Sequence, residues 1–183
     1  PIRLLYSGQL HEYKGTHLTL SALHRLNEKH PNAFRLTIAG TGPEHYVQQL
    51  KKQAQNLGID SLVTFAGKLP RDEMSSTYQC HDILLVTSLW EEPFGLIHLE
   101  AMGSGTPVIS TFRGGMKEFL VHGEVCLTFE PDIANDLSEK ISTLTTDQPL
   151  REKIIKNARK MVEEEYCVKR YAENLESFLK RAL

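Results

Sequence analysis

Short apolar runs alternate with longer segments of helical periodicity through most of this chain. The apolar runs, which we interpret as β-strands, cover residues 2–7, 34–39, 62–66, 83–86, 107–110 and 125–129. Between them, apolar residues three or four positions apart are typical of amphipathic helices, over 14–30, 46–57, about 70–78 and from Phe94 onwards. Beyond Pro131 the pattern predicts helices only, over about 132–145, 149–164 and 167–182.

This alternation predicts the fold class. Residues 83–86 (ILLV) form a continuous apolar run, which is typical of a strand buried on both faces of a parallel sheet. Strands that alternate with helices of this length form a parallel sheet with helices on both faces. We therefore expect a single α/β domain over residues 1–183, with a doubly wound, Rossmann-like sheet of about six strands and a helical C-terminal tail.

Glycine or small polar residues follow five of the six predicted strands. They are Gly8, Gly40-Thr41-Gly42, Gly67, Thr87-Ser88 and Ser110-Thr111. Parallel sheets bind ligands at the carboxyl ends of their strands, and glycine lets a backbone approach a ligand closely. Each glycine alone is equally well explained as an ordinary turn residue, but their shared position favours a ligand site along this edge.

Composition and charge narrow the classes of function. With a formal charge of -2, the chain is not expected to offer a general surface for nucleic acid or acidic membranes, so any anion site has to be local. The three cysteines are too widely spaced for a disulfide framework or a paired metal motif, which favours the cytoplasm. No apolar run approaches the roughly 18 residues of a membrane span. The chain starts at Pro1, and we expect it to be part of a longer protein.

The most informative stretch is SLWEEPFGLIHLEA, residues 88–101, which carries Glu92 and Glu100 around a predicted helix start. We expect the helix to begin at Pro93 or the next residue, because proline fits the first turn. The amides of residues 94–96 would then lack intrahelical acceptors. Together with the positive end of the helix dipole, they would form an anion site.

Carboxylates placed directly on a diphosphate would repel it, so the two glutamates are better suited to accept hydroxyl hydrogen bonds. A carboxylate can accept two O–H groups from a vicinal diol, as in the ribose sites of dinucleotide-binding folds. Considered alone, the pair favours another interpretation, in which Glu91 and Glu92 stabilise the helix start and Glu100 is solvated.

Two other features predict no separate chemistry. His11, Glu12 and His17 depart from the H-E-x-x-H zinc motif, because the histidines are six apart and Gly15 lies between them. His98 is expected to be a packing or surface residue.

Six motifs occur in order along nearly the whole chain. They are GQL with KG at 8–15, IAGTGP at 38–43, FAGKL at 65–69, D-x5-S at 82–88, EPFGLIHLEAMGSGTPV at 92–108 and GGMKE at 114–118. The fifth resembles the E-x7-E signature of the retaining GT-B glycosyltransferases of group 1 (family 4), E-x-F-G-L-x-x-x-E-A-M-A-x-G-x-P-V. The others resemble further motifs of that family at similar spacing.

The resemblance implies the C-terminal, donor-binding half of a two-domain GT-B enzyme. Its substrate would be a UDP-, GDP- or ADP-linked sugar, from which a hexosyl group passes with retention to an acceptor bound by an N-terminal domain. The resemblance implies no metal and no cofactor. Any peripheral membrane association would come only through the N-terminal domain, and the last helix would cross back to it. The full-length protein would be the enzyme, and the 183-residue chain alone is expected to be inactive.

The resemblance also implies residue roles. Glu92 and Lys14 would be catalytic: Glu92 would contact the transferred sugar, and Lys14 the diphosphate, where it offsets charge on the leaving group. Glu100 would hold the ribose hydroxyls. The other expected donor-binding residues are Gly8, Gln9, Gly40, Gly67, Leu69 (through its backbone, beside the base), Phe94, Gly95, Leu96 and Ile97.

Two positions depart from the family pattern, and two alternative functions remain open. Cys126 stands where the family normally has glycine, which affects the backbone expected for that loop. Gln9 stands where the family usually has arginine, so the diphosphate loses one cation unless Arg71 or Arg113 supplies it. The chain could instead be half of a sugar-nucleotide 2-epimerase, although the E-x-F-G-L and K-G elements argue against this. It could also be a non-catalytic module that binds a nucleotide sugar or a protein partner.

Overall fold

Six parallel strands form one sheet in the computed structural model, which describes residues 1–133 and 135–182. The strands are β1 (Ile2–Ser7), β2 (Phe34–Ala39), β3 (Val63–Gly67), β4 (Ile83–Val86), β5 (Val108–Ser110) and β6 (Leu127–Thr128). Their order across the sheet is β3-β2-β1-β4-β5-β6, with every pair parallel. The predicted doubly wound α/β fold is confirmed.

Within the described residues, seven α-helices connect and follow the strands. They are α1 (Thr16–Lys29), α2 (Glu44–Asn56), α3 (Met74–Gln79), α4 (Leu96–Gly103), α5 (Asp136–Thr146), α6 (Gln148–Glu165) and α7 (Val168–Ala182). The helix predicted over 70–78 begins with a 3-10 turn, and β6 is shorter than the strand predicted over 125–129. Ala134, within the helix predicted over 132–145, and Leu183 lie outside the described residues.

Alternating strand residues contribute side chains to two hydrophobic layers, one on each face of the sheet. On β1, Leu4 and Tyr6 belong to the layer that packs against α1, α2 and α5. Leu5, between them, belongs to the opposite layer with residues of α3, α4 and α6. This follows from the twofold alternation of side chains along a strand, and it explains why the strands read as continuous apolar runs.

The strand order reverses between β1 and β4, so the loops after these two strands diverge and open a crevice at the carboxyl edge. The loop after β1 passes very close to the end of β4. Gly15 has φ 66°, and a Cβ there would lie 2.1 Å from the carbonyl oxygen of Thr87. The Thr87 hydroxyl donates to the carbonyl of Lys14 at 3.0 Å, which fixes Lys14 at the crevice.

The C-terminal helix α7 has an exposed apolar face. Its large apolar residues are 45–85% exposed: Val168, Tyr171, Leu175, Phe178 and Leu179. Within residues 1–133 and 135–182, no helix combines the length and the apolar character that crossing a membrane requires.

The close approach at Gly15 generates a stability prediction. Gly58 has the same φ of 66° but no atom within 4 Å of an added Cβ, so Gly58→Ala measures the cost of the left-handed backbone alone, about 1–2 kcal/mol. Gly15→Ala adds a collision with backbone, and we expect it to lose about 1–3 kcal/mol more. Urea unfolding of the two variants gives the difference. Equal losses would contradict the proposed contact.

Candidate functional site

The turn that precedes α4 is the first component of the site. The helix begins at Leu96, so the predicted start at Pro93 or Phe94 is wrong. Gly95 occupies the N-cap position in a left-handed conformation, with φ 85° and ψ 57°, which interrupts any helical backbone upstream. The amides that precede the first helical hydrogen bond, and point out of the helix start, are therefore those of residues 95–97 rather than 94–96.

His98 anchors this turn from below. Its side chain is fully buried, with Nδ1 2.8 Å from the carbonyl oxygen of Gly95 and Nε2 2.8 Å from the Ser110 hydroxyl. A carbonyl only accepts, so Nδ1 carries the proton, and Nε2 of the neutral ring is an acceptor for the single Ser110 proton, for which the Thr111 carbonyl oxygen at 2.8 Å competes. Burial lowers the pKa of His98, although the Gly95 carbonyl and the charge of Glu92 oppose this shift. The expected packing role is confirmed.

Glu92 and Lys14, both expected to be catalytic, form an ion pair. Lys14 comes from the 3-10 turn Glu12–Lys14 after β1, and Glu92 from the loop after β4. The hydroxyl of Ser88 donates to the same Glu92 oxygen at 2.7 Å. Partial burial disfavours the charged carboxylate, but the hydrogen bonds from Lys14 and Ser88, with the Lys14 charge, outweigh burial and lower the pKa of Glu92.

Gly114 and Gly115 hold the loop that carries Glu92. The Gly114 amide donates to the Glu91 carboxylate, and the Gly115 amide donates to the Glu92 carbonyl at 2.7 Å. A Cβ on Gly115 would lie 1.9 Å from the Pro93 carbonyl oxygen. Only glycine permits this approach, so the GGMKE motif fixes the backbone before α4.

Two neighbouring cavities lie at the carboxyl edge, one of about 410 Å³ and one of about 340 Å³. The expected site residues in the wall of the first are Gly8, Gln9, Lys14, Glu92, Phe94, Gly95, Leu96 and Ile97. Those in the wall of the second are Gly8, Gln9, Gly40 and Leu69. Because Ser7, Gly8 and Gln9 line both, the two cavities adjoin at the end of β1.

Two expected residues, Gly67 and Glu100, line neither cavity. The Gly67 carbonyl accepts from the Gly40 amide at 2.7 Å, so Gly67 supports the wall rather than forming it. Glu100 is exposed on α4, and its Oε2 accepts from the hydroxyl of Tyr78 at 2.9 Å. Tyr78 lies one turn beyond Met74 on α3, and Met74 does line the second cavity.

Sequence reasoning gave no role to several side chains of this site. Ser88 was placed at the ligand edge but was not linked to Glu92, and Lys68, which lines the second cavity, could have been found as the cation beside Gly67. Within the described cavity walls, the cations are Lys14 and Lys68. Neither Arg71 nor Arg113 lines these two cavities, and compensation by either for the charge that Gln9 lacks stays a prediction.

Comparison with known proteins identifies the family of the chain. Residues 1–161 match the family model described as glycosyl transferases group 1. The chain is 33% identical over 164 residues to the Methanocaldococcus jannaschii protein named "Uncharacterized glycosyltransferase MJ1607", covering 89% of this chain and 40% of that protein. The chain therefore spans well under half the length of this curated relative.

Two solved structures are similar to the chain. One is Anabaena Alr3699/HepE in complex with UDP-glucose, with a TM-score of 0.86 and 27% identity, covering 96% of this chain and 49% of that one. The other is the C-terminal domain of the Francisella tularensis glycosyl transferase group 1 family protein LpcC. It has a TM-score of 0.82 and 27% identity, covering 91% of this chain and 87% of that one.

Buried, neutral His98 generates a pH prediction. The unfolded chain takes up a proton at this histidine near a pKa of about 6.5, whereas the folded ring takes it up only at lower pH. Unfolding free energy is therefore lost as the pH falls from about 6.5 towards 5. We expect the unfolding free energy of His98→Asn to change less with pH in this window, as measured by urea unfolding at several pH values.

His45→Asn, at an exposed position on α2, is the control. A wild-type slope in His98→Asn would contradict the assignment.

Proposed function

The chain belongs to the glycosyl transferases of group 1, and we propose that it is the donor-binding domain of a retaining enzyme that transfers a hexosyl group from a nucleotide diphosphate sugar. The observation that carries this proposal is the first cavity, where Gly95, Leu96 and Ile97 at the start of α4 line one space of about 410 Å³ together with Lys14 and Glu92. This volume falls within the usual range for small-molecule sites, about 300–1,000 Å³.

The diphosphate is proposed to bind at the start of α4. Backbone N–H groups at a helix start attract anions because they lack acceptors and lie at the positive end of the helix dipole. Gly95 leaves this approach free of a side chain, and His98 keeps its carbonyl turned inwards. Lys14 adds a full positive charge in the same cavity wall.

Donor binding would also rearrange the Lys14–Glu92 pair. In the structure, Lys14 neutralises Glu92, and a bound diphosphate would compete for the same ammonium. Glu92, still held by Ser88, would then be free to accept hydroxyls of the transferred sugar and to stabilise positive charge that develops at its anomeric carbon. As the bond from that carbon to the diphosphate oxygen breaks, Lys14 offsets the charge on the leaving group. We propose that no metal or cofactor takes part.

The nucleoside is assigned to the second cavity and to Glu100. The base would lie beside the backbone of Leu69, in the cavity of about 340 Å³, and the ribose hydroxyls would bind Glu100. Among UDP, GDP and ADP donors, the complex of Anabaena HepE with UDP-glucose supports a UDP-linked sugar.

The acceptor is proposed to bind to an N-terminal domain of the same protein, and the exposed apolar face of α7 is suited to contact with that domain. On this proposal the 183-residue chain binds the donor without turning it over. A cytoplasmic location stays a prediction.

Calorimetry with UDP, GDP and ADP tests donor binding directly. We expect one of the three to bind, and Glu100→Ala to lose about 1–3 kcal/mol of binding free energy, because hydroxyl hydrogen bonds to a charged group are lost. Glu139→Ala, at an exposed position on α5, is the matched control. If none of the three binds at millimolar concentration, the proposed function fails; if affinity is unchanged in Glu100→Ala, Glu100 is not part of the site.

A further inference from the structure

A buried tyrosine on α3 holds the exposed glutamate that is proposed to bind the ribose. The Tyr78 side chain is 1% exposed, and its hydroxyl donates to Oε2 of Glu100 at 2.9 Å. The position of Tyr78 is itself fixed, because its carbonyl accepts from the Thr106 hydroxyl at 2.8 Å and its ring packs among Leu99, Met102 and other apolar residues of the second layer.

The hydrogen bond between Tyr78 and Glu100 can run in one direction only. An ionised carboxylate only accepts, so the phenol must be the donor. Burial, and then the neighbouring Glu100, raise the pKa of Tyr78, so the phenol keeps its proton throughout the physiological range. One lone pair of Glu100 Oε2 is therefore occupied, while Oε1 and the remaining lone pair of Oε2 are left for other donors.

A free glutamate side chain samples many rotamers, and a ligand that binds it must pay the entropy of fixing one. The bond to Tyr78 selects one rotamer before any ligand arrives. A vicinal diol needs two acceptor positions at a fixed separation, so it gains more from this restriction than a single hydroxyl does.

We propose that Tyr78 is a positioning residue that orients the Glu100 carboxylate towards the 2′- and 3′-hydroxyls of the nucleotide, and so sets the preference for ribonucleotide over 2′-deoxyribonucleotide donors. This inference rests on the proposed function, in which Glu100 binds the ribose. It assigns the hydroxyl of Tyr78 to recognition, whereas the ring alone serves the hydrophobic core.

Calorimetry with UDP and with 2′-deoxy-UDP tests the proposal on the chain as it stands. We expect the wild-type chain to bind UDP about tenfold or more tightly than 2′-deoxy-UDP. Tyr78→Phe keeps the ring and removes only the hydroxyl, so we expect that ratio to fall at least about threefold through weaker UDP binding. Tyr46→Phe, which removes the hydroxyl of another buried tyrosine that lies near His17, should leave the ratio unchanged. Thermal unfolding of each variant checks that it folds.

The Glu100→Ala variant separates failure of this inference from failure of the proposed function. If Glu100→Ala abolishes the preference for UDP while Tyr78→Phe keeps it, or if Tyr78→Phe weakens both nucleotides equally, the positioning role is overturned and the donor site stands. If the wild-type chain binds both nucleotides equally, Glu100 does not bind the ribose 2′-hydroxyl. The proposed roles of Glu100 and of Tyr78 are then both overturned. The proposal is supported if Tyr78→Phe lowers the preference for UDP over 2′-deoxy-UDP at least about threefold through weaker UDP binding.

Discussion

The left-handed turn at Gly95 is the constraint on which the rest of the site depends. It ends the loop after β4 and starts α4, so the amides of residues 95–97 have no intrahelical acceptor, and these three residues line the first cavity. Glycine adopts this left-handed conformation without steric cost, and neighbouring residues select it from the other conformations that glycine allows. Here the buried ring of His98 binds the Gly95 carbonyl from inside, and Gly115 presses against the preceding backbone at Pro93 from the other side.

The doubly wound sheet places side chains of opposite charge around this turn. The loops after β1 and β4 separate at the switch of strand order, and Lys14 and Glu92 enter the crevice from either side of it. Their pairing satisfies both charges while the cavity holds no anion, and partial burial makes an unpaired carboxylate there unfavourable. The same proximity would let a diphosphate exchange places with Glu92 at Lys14 without large movement of the backbone.

The sequence predicted much of the fold because the alternation of apolar runs and helical periodicity is a local signal, and strands buried on both faces make it strong. The start of α4 was predicted wrongly, because proline at 93 fits a first helical turn locally while the left-handed choice at Gly95 is fixed by His98 and by Gly114-Gly115. The partnership of Tyr78 with Glu100 was not predictable either, since it requires knowing how α3 packs beside α4. The resemblance to family motifs predicted that Lys14 and Glu92 belong to one site. Their direct ion pair joins residues 78 positions apart, so it could not be predicted without the structure.

The most direct measurement of the central claim is a titration of the ¹⁵N-labelled chain with UDP, followed by ¹H–¹⁵N correlation spectra. If the helix start holds the diphosphate, the amide signals of residues 95–97 move saturably, further than those of the rest of α4, and uridine alone does not move them. If those three amides stay in place while UDP binds elsewhere or not at all, the account is contradicted.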